Sequence, residues 1–240
     1  MTIWLKEWQT LTAGILALLA AGVTVGVMMR QVHLQKIQTD KTRQESEDRR
    51  QRRLAACRAA MPADLSSILG YTHDCAHIIG TALKILRKEE ERRELACPTL
   101  PERVIGNLQQ LVEHIDREGA NAIADLLSCY QVQYARLSAE LGYFNSPHRV
   151  GRHRIMTEDN IEFTVEQTVL LFLLAESMFD FARRKAEKIP QRNFDETRVA
   201  NALNVLELSD VVSSKYQDDL MNLLVGDKHN GDADNIGQHS

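Results

Sequence analysis

Two histidines stand four residues apart in His73-Asp74-Cys75-Ala76-His77. On a helix this spacing places both imidazoles on one face, one turn apart, where they can share a metal ion. Asp74 could then serve as a general base, one carbon shorter than the glutamate usual beside such a pair. No third ligand can be assigned from the sequence. In the plainer reading, Cys75 points along an apolar stripe and the two histidines flank it at the boundary.

Other residues carry weaker signals. His148, Arg149, Arg152, His153 and Arg154 crowd one turn-rich stretch, where Arg and His side chains can hold a phosphate or carboxylate. The bland alternative is a solvated loop whose cations pair with acidic neighbours. Glu176 and Asp180 lie four apart on the most apolar helix, and a like-charged pair facing a core would mark a catalytic or metal site. Arg49, Arg50, Arg52, Arg53 and Arg58 form a basic run suited to anionic lipid headgroups, or simply to solvent. Gly22 and Gly26 form a GxxxG, a small face through which two membrane helices can associate. There is no P-loop, GxSxG, Rossmann glycine pattern, zinc-knuckle spacing or kinase signature, and no cofactor is implied. An enzyme is therefore not the favoured class.

Charge is segregated along the chain. Residues 1–29 are neutral overall, residues 30–60 carry nine Lys/Arg against four Asp/Glu, and the remainder is acidic, within a net charge of −4. An acidic body argues against nucleic-acid binding, which relies on Lys and Arg at phosphates. The four cysteines (Cys57, Cys75, Cys97 and Cys129) follow no framework spacing and read as small core or boundary residues.

These residues need elements to position them. Residues 1–7 form a short N-terminus. The run from Trp8 to Met29 holds 22 residues without a charge, enough to span a bilayer as a helix. Arg30, Lys36 and Lys41 crowd its C-terminal side. The positive-inside rule therefore predicts a single-pass inner-membrane protein with the N-terminus outside and the rest cytoplasmic. The competing reading, a cleaved signal peptide ending near Ala20-Ala21-Gly22, is disfavoured because the apolar run continues beyond it. These first fifty or so residues resemble the anchor and stalk of bacterial inner-membrane proteins, a likeness that implies no activity.

Residues 30–53 contain no Pro or Gly and predict a charged helix, with Glu45/Arg49 and Asp48/Arg52 at i,i+4. From Leu54 an apolar stripe runs through Met61, Leu65, Ile68, Cys75, Ile79 and Leu83 to Leu86. Pro62 is expected to kink or restart that helix, with Asp64 in a new first turn. The helix is expected to run into RKEEERREL and to stop before Cys97-Pro98. A second helix starts at Pro101, Gly119 marks a junction, and a third carries Ile123, Leu127, Tyr130, Tyr134, Leu137 and Leu141. A fourth, starting near Thr157, is apolar on two faces and should be central. A fifth follows an Asn193-x-x-Glu196 capping box, with a bend near Ser209. The tail, 226–240, reads as disordered.

The predicted fold is all-α: a transmembrane helix (8–29), a charged stalk (30–53) and an antiparallel bundle of about five helices (54–225). The favoured function is a membrane-anchored protein-interaction or scaffold module. The lipid bilayer and a protein partner, or a second copy, are its expected partners. The alternative is a metal- or anion-binding helical enzyme or sensor built on His73/His77 or Glu176/Asp180.

Overall fold

The structure, a computed structural model, describes residues 2–146, 158–190 and 192–226, with side chains from Met28 onward except 158–160, 162 and 226. Seven helices follow in order among the described residues: α1 (Thr2–Leu86), α2 (Glu102–Val112), α3 (Arg117–Asn145), α4 (Glu158–Ser177), α5 (Phe179–Ala182), α6 (Glu196–Val205) and α7 (Ser214–Gly226). No strand occurs among the described residues. The chain divides into two compact units, Met1–Arg53 and Leu54–Ser240.

In the first unit every described side chain, from Met28 to Arg53, is exposed. Thr39 and Thr42 donate to the carbonyls four residues back, both at 2.9 Å, and Arg49 lies 4.0 Å from Glu45. Among the described residues no helix is long and apolar enough to cross a membrane. The expected single-pass inner-membrane location, with its bilayer partner, is corrected on that finding. A span needs about 20 consecutive apolar residues. From Arg30 on, the described side chains of α1 go at most nine residues without a charge, and those of α4 likewise, 167–175. The side chains of residues 8–27, on which that expectation rested, lie outside the described residues.

The second unit is built on the stripe legible from Leu54. Met61, Leu65, Ile68, Thr72, Cys75, Ile79 and Leu83 are all buried. Pro62 does not restart the helix, because α1 continues through it. The missing N–H costs one backbone hydrogen bond, and the buried side chains of Met61 and Leu65 on either side hold the turn in place. Asp64 is therefore a mid-helix residue. It is 3 % exposed, and the Asn107 side-chain amide on α2 donates to both its oxygens at 3.0 and 3.2 Å. Burial raises its pKa, against the pull of Asn107 and Arg103.

Helix α4 lies at the centre, with every residue from Thr168 to Ala175 buried, against α3, α5, α6 and α7. Asp116 caps α3 by accepting from the Gly119 N–H at 3.0 Å. Gly119 thus sits inside the first turn of α3, where a Cβ would collide with Ile115. The cap of α6 is Asp195, which accepts from the Arg198 N–H at 2.8 Å, two residues past the predicted Asn193.

Three helices end on the same device. Lys88, Arg184 and Glu207 adopt left-handed backbone, with φ of 62, 62 and 56°. Each sits at the turn of a Schellman motif. In the last, the Glu207 N–H reaches Asn204 O at 3.0 Å and the Leu208 N–H reaches Leu203 O at 2.9 Å. Glycine normally fills this position, because a Cβ there costs about 1–2 kcal/mol. The expected extension of α1 toward Cys97 fails for this reason: Lys88 turns the chain, and residues 91–101 are irregular. Replacing Arg184 by glycine relieves the backbone and removes a positive charge beside Arg58. We expect Arg184→Gly to stabilise the chain by about 1 kcal/mol, read as a raised urea midpoint with unchanged slope.

Candidate functional site

A cleft of about 330 Å³ opens beside the C-terminal part of α1. His73, His77, Thr81 and Lys84 form its floor, because steps of four and three residues place them on one helical face. Ala76 and Gly80 leave the depression, being too small to fill it. Leu206, Glu207 and Val211, from the α6–α7 connection, form one wall; Glu90 and Arg93, from the segment after α1, form another. The Arg87 guanidinium donates to Val211 O at 2.7 Å and ties the two segments together.

His73 and His77 are exposed, and the ring of His73 meets Phe172 edge-on with centroids 6.3 Å apart. Cys75, between them, turns into the core, where burial pushes its thiol up to about 12. The Cys129 thiol is likewise raised to about 12 by burial. Both are poor nucleophiles and poor ligands in that state. Among the described residues no group of three or more His, Cys, Asp or Glu is placed to hold a metal.

The other expected sites separate. Glu176 and Asp180 are both exposed, and Glu176 pairs with Arg198 at 3.0 Å. The buried like-charged pair is not formed, because both residues lie on the outward face while Ala175, Met178 and Phe181 beside them fill the core. Arg49, Arg50, Arg52 and Arg53 are exposed on α1. Arg149, Arg152 and Arg154, with His148 and His153, lie outside the described residues, as do residues 227–240. Gly22 and Gly26 lie on α1 outside the residues whose packing is described.

Arg58 departs from the basic run with which its sequence position groups it. It is half-buried, its guanidinium lies 4.1 Å from the Phe181 ring centroid, and it donates to Phe181 O at 2.7 Å and Ala186 O at 2.5 Å. Burial, then the nearby Arg184 charge, lowers its pKa. One signal was available: Arg58 falls four residues after Leu54 and three before Met61, on the packed face. Gln133 carried no such signal. It is fully buried, accepts from the Tyr71 hydroxyl and donates to Thr168 Oγ1 at 3.3 Å, linking α1, α3 and α4. Thr168 spends its own proton on Thr164 O at 2.9 Å. The orientation of the Gln133 amide follows, since Thr168 can then only accept.

No known protein family, curated protein or solved structure matches the chain.

Proposed function

We propose that the chain is a protein-interaction module in which the helical segment 28–53 supplies the docking surface and residues 54–226 form the folded body. The observation that carries this reading is the exposure of that whole segment. Met28, Met29, Val32, Leu34 and Ile37 are between 51 and 69 % exposed. Helices without a packed face are marginal in water, since most helical stability comes from tertiary burial. A protein partner, or a second copy of the chain, would cover these side chains and hold the helix. The surrounding arginines would favour a partner with acidic side chains.

The test is in-cell crosslinking of the full-length chain beside a Val32→Glu/Leu34→Glu/Ile37→Glu variant. We expect a specific adduct that the variant loses while its melting temperature stays unchanged. An identical adduct pattern in both proteins sinks the reading. A second reading, a ligand-binding role for the body, is favoured by the cleft at His73 and His77, whose volume lies at the lower end of small-molecule sites.

A further inference from the structure

We infer that the cleft beside α1 binds a small dipolar molecule carrying both an ammonium and a carboxylate, of the α-amino-acid class. The argument starts from charges left over within the cleft. Lys84 on the floor and Glu207 on the facing wall are exposed and make no side-chain hydrogen bond or ion pair among the described residues; Asp74, at the rim, is in the same position. Arg93 is held only loosely, 3.8 Å from Glu90 and with 60 % of its side chain accessible. A ligand anion alone would meet Glu207 and Asp74, and a ligand cation alone would meet Lys84 and Arg93. A molecule with both charges satisfies both sets, each through a charge-assisted hydrogen bond.

Thr81 lines the cleft floor, and its hydroxyl makes no hydrogen bond to a described residue while its oxygen stays accessible to solvent. A ligand carboxylate between Thr81 and Lys84 would accept from both. Glu207 occupies the left-handed turn that glycine normally takes, with φ of 56°. The turn, the same helix-ending device seen after α1 and α5, sets this carboxylate on the cleft wall. Leu206 and Val211 beside it offer a short apolar surface for a side chain. This inference is independent of any docking at residues 28–53.

The test uses the full chain with labelled histidine imidazoles, the signals of His73 and His77 being assigned with His73→Gln and His77→Gln. Alanine, glutamate and lysine are titrated as free amino acids, with acetate and methylammonium as single-charge controls. We expect at least one amino acid to shift both signals saturably, while neither control does. Lys84→Met and Glu207→Asn should each weaken that binding about tenfold or more, with melting temperatures retained; asparagine tolerates the left-handed turn. Equal shifts with acetate would make this a plain anion site, and equal shifts with methylammonium a plain cation site. Either result, or no response to any of the amino acids, overturns the proposal.

Discussion

Replacing Gln133 with alanine is expected to destabilise the bundle by about 4 kcal/mol, the sum of a buried cavity and an orphaned hydroxyl. Gln133 is fully buried, and its removal strands the Tyr71 hydroxyl in a site that is 4 % exposed. The shift should appear as a fall in thermal midpoint of roughly 10 °C for a domain of this size. The mechanism makes a second demand. Gln133→Leu keeps most of the volume but still strands Tyr71, and should cost about 2 kcal/mol. Adding Tyr71→Phe removes the stranded group, so the double variant should be more stable than Gln133→Leu alone. Strictly additive losses in urea denaturation would show that the hydrogen bond between these residues contributes nothing to the native state.

Arg58→Ala is expected to cost about 3 kcal/mol. Two charge-assisted hydrogen bonds to backbone carbonyls contribute about 1.5–3 kcal/mol each before solvent takes their place, and the stacking on Phe181 about 1 kcal/mol. The half-buried setting of Arg58 lets water recover part of the loss. The accepting carbonyls belong to the end of α5 and the residues after it; Phe181 O also takes the Arg184 N–H at 3.0 Å, and its second lone pair takes the guanidinium. Arg58→Lys retains the charge but lacks the planar fork that reaches Phe181 O and Ala186 O together. It should therefore recover less than half of the loss. Recovery of full stability by lysine, measured by the urea midpoint, would show that only the charge matters. The gain from Arg184→Gly should shrink in an Arg58→Ala background, since part of it comes from relieving repulsion between the two guanidinium groups.

The helical class was legible because burial imposes periodicity. The stripe through Met61, Leu65, Ile68, Cys75, Ile79 and Leu83 is buried as its three- and four-residue steps require. The two-faced apolar pattern of α4 marked the central helix for the same reason: a helix surrounded by others has no face to leave polar. Cys75 and Cys129 were also readable as core residues.

What the sequence hid falls into two physical kinds. One helix end was missed where the chain turns without glycine: α1 stops at Leu86, and Lys88, which takes the left-handed turn, carries no local stop signal. The restart expected at Pro62 does not occur, since packing on both sides outweighs one lost hydrogen bond. Polar side chains were missed where their partners are distant in the chain. Gln133 meets Tyr71 and Thr168, and Arg58 meets residues more than a hundred positions away. The cleft belongs to this second kind: His73 and His77 were visible as a pair, but Glu207 and Val211 reach them only through the fold. Local periodicity determined the helices and their buried faces. Which polar groups meet was decided only by tertiary packing, because a hydrogen bond depends on position in space and leaves no period in the chain.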